Sequence, residues 1–251
     1  MAPMLMRRLS PDESPADPAE AYAYPPRPDR PWVRANMIAS VDGAATLEGR
    51  SGGLGGAADR SLFSLLRGLA DAIIVGAGTV RAEGYGPPRP GPEWGSLRAG
   101  RSATPALVIV SRTLDLDFDA PVFTAAAPDA ATVVLTAQAA DPNRLAAARE
   151  RAEVIVAGAE RVDFPAAFAR LAGQGRTRLL CEGGPRVLAQ VAAAGALDEL
   201  CLTLSPVLGG GGAPRVLNGA PLPVPSELGL AHVLQAPDDE GFLFLRYVRK
   251  R

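Results

Sequence analysis

Histidine and lysine are almost missing: His232 and Lys250 are the only ones in 251 residues. With a single histidine and two cysteines, Cys181 and Cys201, the ligands for a structural zinc site are too few. The same scarcity argues against triad chemistry and histidine acid–base catalysis. His232 sits in the apolar stretch Leu228–Leu234 and reads as a core residue. Both cysteines lie in apolar runs, as buried thiols do, and suggest no disulfide framework. No apolar run approaches the roughly 18–20 residues of a membrane span. Residues 1–30 are rich in proline and charge and carry no apolar signal core. The net charge is −1, and the 26 cationic side chains, all but Lys250 arginine, are scattered among 27 acids. No basic stripe remains for nucleic acid. These absences point to a cytoplasmic protein with a small-molecule partner, neither nucleic acid nor membrane.

What is present is alternation. The 47% hydrophobic content suffices for a sizeable core. The expected layout is an N-terminal arm, residues 1–30, followed by one domain, 31–251, since no repeat or linker interrupts the chain. Strand-like runs recur at Trp32–Ile38, Ala72–Val75, Ala106–Val110, Thr132–Thr136, Glu153–Val156, Arg178–Cys181, Glu199–Leu204, Leu228–Gln235 and Phe242–Val248. Helical patterns at Asp59–Leu69, Asn143–Arg151, Phe164–Leu171 and Val187–Ala194 separate many of them. Such alternation predicts an α/β fold with a mostly parallel sheet. The last two strands are joined only by the turn-rich stretch 236–241, so the sheet should end in an antiparallel hairpin. Arg81–Thr104 reads as the longest structureless loop, a kind that is often functional.

In such sheets ligands bind at the carboxyl ends of strands. The most informative end is Glu182-Gly183-Gly184-Pro185, followed by Arg186, Val187 and Leu188. Two glycines allow close approach, and a helix starting at Pro185 would offer first-turn amides to a phosphate. The spacing is neither GxGxxG nor a P-loop. Gly76-Ala77-Gly78-Thr79 ends another strand, where Thr79 could cap a helix and turn its hydroxyl to a phosphate. Ser111-Arg112 ends a third, where arginine would favour a 2′-phosphate and hence NADPH over NADH. Asp42-Gly43 reads either as an Asx turn or as part of the cleft. Asp59 opens an apolar helix after Gly52-Gly53-Leu54-Gly55-Gly56 and reads either as a first-turn carboxylate or as the group that supports a protonated heterocycle. Glu182 is either a turn acid or a ligand contact.

The run Asn36-Met37-Ile38-Ala39-Ser40-Val41-Asp42-Gly43, Leu65-Leu66-Arg67, Gly76-Ala77-Gly78-Thr79-Val80, Glu182-Gly183-Gly184-Pro185, and Asp198-Glu199-Leu200 leading to Ser205-Pro206-Val207-Leu208-Gly209-Gly210 resemble the reductase domain of riboflavin biosynthesis. The match is closest to its stand-alone, mycobacterial-type branch and covers about residues 32–248. The resemblance implies a dihydrofolate-reductase-like three-layer fold, NADPH as cofactor, and a homodimer. It implies cofactor contacts from Thr79, from Gly184 to about Gln190, and from the Ile38 backbone, and substrate contacts from Ser51, Arg67 and Glu182. Asn36, Asp42 and Glu83 join these as substrate candidates, and Gly76, Gly78 and Gly183 as cofactor candidates. Relatives carry a basic residue where this chain has Ala44, and Lys-Trp where it has Gly52-Gly53. The family's phosphate-gripping arginine is shifted or lost in Glu83-Gly84-Tyr85-Gly86-Pro87-Pro88-Arg89. The zinc-ligand set of the deaminase half of bifunctional members is missing, so a stand-alone reductase is expected. Reduction of a ribosylamino-pyrimidine phosphate is the leading expectation. Dihydrofolate-type reduction of a pterin, with Asp59 holding the ring, is the second, and a non-catalytic nucleotide-binding protein the third.

Overall fold

The computed structural model describes residues 6–10, 14–26, 30–236 and 241–250. The segment read as an arm contributes β1 (Met6–Ser10), β2 (Ser14–Ala16) and α1 (Pro18–Ala21). Then follow β3 (Trp32–Ser40), α2 (Ala57–Leu69), β4 (Ala72–Gly76), α3 (Ala77–Glu83), β5 (Ala106–Val110), α4 (Pro121–Thr124), β6 (Val133–Thr136), α5 (Pro142–Arg151) and β7 (Glu153–Val156). The chain ends with α6 (Phe164–Gly173), β8 (Arg178–Gly183), α7 (Pro185–Ala193), β9 (Glu199–Ser205), β10 (Leu228–Gln235) and β11 (Leu243–Arg249). The strands form one sheet in the order β2-β1-β10-β11-β9-β3-β8-β4-β5-β6-β7.

From β9 to β7 every neighbouring pair is parallel, while β11, β10, β1 and β2 extend the sheet antiparallel. The parallel strands β4 and β5 are apolar almost throughout because both faces are covered. Leu62, Leu65, Leu66 and Leu69 of α2 pack on one face with Ile73, Val75, Leu107 and Leu180. Phe164, Phe168 and Leu171 of α6, with Val187, Leu188 and Val191 of α7, cover the other. Burying each such side chain contributes roughly 1.5–3 kcal/mol. This is the expected three-layer architecture with its antiparallel C-terminal pair; most of the hairpin connection, residues 237–240, lies outside the described residues.

Two expectations change. The segment Arg81–Thr104 is not structureless, because α3 runs on to Glu83 and Pro92–Arg98 form a 3-10 helix. The N-terminal segment is part of the sheet: β1 pairs with β10, and Tyr22 and Tyr24 pack into the core against it.

The order of strands also creates a crevice. Neighbours β8 and β4 lead directly into α7 and α3. Val187 and Leu188 of α7 belong to one core, whereas Ala77 and Val80 of α3 belong to the other. The chain therefore leaves adjacent strands toward opposite faces, which opens a gap at their carboxyl ends.

Candidate active site

A cleft of about 1020 Å3 occupies that gap. This is the upper end of the range for ligand pockets, enough for a dinucleotide and a second small molecule. Its lining includes Asn36, Ile38, Ser51, Asp59, Arg67, Gly76, Gly78, Thr79, Glu83, Ser111, Arg112, Glu182, Gly184, Pro185, Arg186 and Val187. Three of the strand ends named from the sequence, those of β4, β5 and β8, thus meet in one place, while the Asp42-Gly43 end of β3 lies outside the lining.

The glycines explain why the floor is open. A Cβ on Gly184 would lie 2.5 Å from Thr79 Oγ1, and one on Gly76 would lie 2.9 Å from Val187 Cγ2. Gly78 has nothing within 4 Å of the same position, so it presents bare backbone. Neither Gly76 nor Gly184, the residues before α3 and α7, places a side-chain cap on the helix that follows. The helix after β4 begins at Ala77, so Thr79 is not its cap. Its hydroxyl instead accepts the Gly184 amide at 2.9 Å and ties the two strand ends together. At the start of α7, the Val187 and Leu188 amides already donate to the Gly184 carbonyl at 2.9 and 3.1 Å. The expected set of free amides there narrows to Arg186, whose exposed side chain also lines the cleft.

Glu182 is held from two sides. Arg67 Nε and Nη2 donate to its two oxygens at 2.7 Å each, and the Tyr85 hydroxyl donates to Oε2 at 2.7 Å. The Arg67 guanidinium lies 4.1 Å from the Phe63 ring centroid and 5.4 Å from that of Tyr85. Burial works against the Arg67 charge, yet Glu182 and Tyr85 hold it above its ordinary pKa. Burial, then Glu182, pushes the Tyr85 phenol up. Phe63 and Tyr85 escaped the sequence reading. The spacing of Phe63, four residues after Asp59 and four before Arg67, is the helical signal that could have found it. Glu83 accepts the Ser51 amide and hydroxyl at 2.9 and 3.1 Å, pinning the glycine segment to α3. Asp59 stands in the first turn of α2, its carboxylate laid against Gly55 so closely that a Cβ there would come within 2.7 Å of Oδ2.

Other candidates lie elsewhere. Asp42 is exposed and outside the lining; its carboxylate accepts from the Ser40 hydroxyl and from the Gly209 and Gly210 amides. Those bonds, Ser40 first, hold its pKa down at about 2. It clamps a loop. Gly183 is buried at the strand end at φ +87°, with Met37 Sδ 3.2 Å from where a Cβ would be. Its peptide to Gly184 is cis. Leu188 is wholly buried core, and Gln190 donates to the Arg186 carbonyl away from the cleft. Ser111 lines the cleft, but its hydroxyl accepts the Leu114 amide at 3.0 Å, while Arg112 is exposed. Among the described residues no helix is long and apolar enough to cross a membrane, and no group of three or more potential ligands is placed to hold a metal ion.

The family model for the RibD C-terminal domain matches residues 31–240. The chain belongs to that family. It is 32% identical over 188 residues to the 2,5-diamino-6-ribosylamino-4(3H)-pyrimidinone 5′-phosphate reductase of Methanothermobacter thermautotrophicus, covering 75% of this chain and 83% of that protein. The protein of the same name from Aquifex aeolicus is 30% identical over 204 residues, with 76% and 84% covered. A pyrimidine reductase-like protein from Corynebacterium diphtheriae superposes with a TM-score of 0.79 at 31% identity, covering 93% of this chain and 99% of that one. These relatives favour the pyrimidine reading over the pterin one, and the three-layer fold is the dihydrofolate-reductase-like one that the resemblance implied.

Proposed function

We propose that this protein is an NADPH-dependent reductase that converts a ribosylamino-pyrimidine phosphate to its ribitylamino product. The observation that carries the reading is the cleft formed where β4 and β8 part, whose lining unites the glycine turns, Arg112 and the Asp59–Phe63–Arg67 side of α2. The family and the named relatives supply the reaction type.

The cleft suits a dinucleotide phosphate. Gly76, Gly78 and Gly184 keep backbone within reach of a diphosphate, and Thr79 fixes their spacing. The exposed Arg112 guanidinium at the end of β5 suits a 2′-phosphate, and Arg186 adds a second cation. Ile38 lines the same cleft. When bound, the nicotinamide supplies the hydride. The protein must orient the opened ribosylamine so that C1′ receives the hydride and the attached nitrogen a proton. Asp59 is the carboxylate we assign to hold or relay that proton. The Glu182–Arg67–Tyr85 unit forms a rigid wall of fixed polarity, with Phe63 as its apolar face. Asn36 lines the same space, and its buried Oδ1, without a hydrogen-bond partner among the described residues, is the acceptor we assign to a ring amino group.

The protein is expected to act as a cytoplasmic homodimer. Leu200, Leu202 and Leu204 of β9 stand opposite Tyr247, Leu245 and Leu243 of β11, and this apolar face is only half-buried. The buried thiols of Cys181 and Cys201 are free. Incubation with NADPH and 2,5-diamino-6-ribosylamino-4(3H)-pyrimidinone 5′-phosphate tests the function. Stoichiometric cofactor oxidation with a product two hydrogens heavier is expected, and cofactor binding without oxidation would overturn it.

A further inference from the structure

The substrate assigned above carries a phosphate, and a phosphate in a protein cleft is ordinarily met by a fixed cation. Arg89, the arginine of the segment that resembles the family's phosphate grip, is exposed and does not line the cleft. Glu83 and Tyr85 of the same segment are bonded to Ser51 and Glu182.

The other cations of the cleft have occupations. Arg67 is paired with Glu182, and Arg81 donates to the Asp115 carbonyl at 2.9 Å. Arg112 and Arg186 follow β5 and β8, beside the glycine turns. Arg60 is left. It lines the cleft from α2, three residues before Phe63 and seven before Arg67, so the three share one side of the helix. It is exposed and has no carboxylate partner among the described residues. A cation in the first turn also opposes the helix dipole, so the position gives α2 nothing in stability. A local rule broken at a cleft wall is expected where a ligand supplies the compensation.

We propose that Arg60 anchors the 5′-phosphate of the substrate, in place of the arginine that the Glu83–Arg89 segment no longer provides. This rests on the pyrimidine-reductase reading. Asp59 and Arg60, adjacent and opposite in charge, then divide a bipolar substrate between them. The carboxylate faces the amino-bearing end and the guanidinium takes the phosphate in a two-point contact.

The test compares Arg60→Ala and Arg60→Lys with the unaltered enzyme, on the phosphorylated substrate and on its dephosphorylated nucleoside. Arg60→Ala should lower kcat/KM for the phosphorylated substrate by on the order of 100-fold, about 2.7 kcal/mol, mainly through KM. The loss on the nucleoside should be at least tenfold smaller, and Arg60→Lys should recover part of it. Equal losses on both substrates, or none, would overturn the assignment. A calorimetric titration with ribose 5-phosphate separates the two readings. If the unaltered protein reduces neither substrate, the function falls. Arg60 then still stands if Arg60→Ala weakens ribose 5-phosphate binding at least tenfold, and falls if the affinities are equal.

Discussion

Two regions of one sheet treat their charges in opposite ways. Where the antiparallel strands join the parallel ones, Glu199 of β9 is completely buried and accepts Arg34 Nε at 2.6 Å, Arg246 Nε at 2.9 Å and the Trp32 indole at 3.0 Å. Arg34 is itself fully buried, its guanidinium 4.1 Å from the Tyr24 ring centroid. Arg246 reaches across to the Ala21 carbonyl at 2.7 Å, which ties the N-terminal segment down. At the carboxyl edge of the parallel side, Arg60, Arg112 and Arg186 line the cleft exposed. A buried charge is tolerated only while its partner is present. A charge on a cleft wall stays solvated until a ligand arrives. The first region holds the sheet together, and the second is left ready for chemistry.

That contrast can be broken from either side. Glu199→Gln should have the largest effect, because it strands Arg34 and Arg246 in the interior. A loss of about 3–5 kcal/mol is expected in urea denaturation. A loss below about 1 kcal/mol would mean that the buried cluster does not hold the fold. Gly184→Val should act on the other region: NADPH affinity is expected to fall on the order of 100-fold, about 2.7 kcal/mol, in calorimetry. Unchanged affinity would remove that turn from the cofactor site. Asp59→Asn should lower turnover at least tenfold, about 1.4 kcal/mol, while cofactor affinity stays constant. Equal turnover would remove Asp59 from the mechanism.

The smallest effect is one of pH. Burial, then Arg246 and Arg8, hold the His232 imidazole down at about 4, against an ordinary 6.5. The fold therefore favours the neutral ring. That stabilisation is complete above pH 6.5 and is lost as pH falls from 6.5 through about 4. His232→Gln should flatten the decline in that window, and an unchanged pH profile of stability would contradict it. Below it, Glu199 takes over: burial opposes its charge, but Arg34 and Arg246 hold its pKa at about 2.

Much of this was legible in the residues. The apolar runs named β3 to β11, most plainly β4, β5 and β6, because strands buried on both faces leave a continuous hydrophobic trace. The glycine turns marked the strand ends that form the cleft, because only glycine lets backbones come that close. The N-terminal strands were not legible: Met6–Ser10 carries two arginines and joins the rest of the sheet through β10, a contact no local pattern reports. Nor could spacing show that Asp42 is spent on Gly209 and Gly210, or that Glu182 is shared by Arg67 and Tyr85. Those partners lie far apart in the chain, and a carboxylate's role depends on who reaches it.

The most direct check is titration of the purified protein with NADPH and with NADP+ by calorimetry. Saturable binding of one dinucleotide per chain, weakened by Gly184→Val, is the expected result. Absence of binding by both forms would contradict the assignment of the β4–β8 cleft as a nicotinamide site.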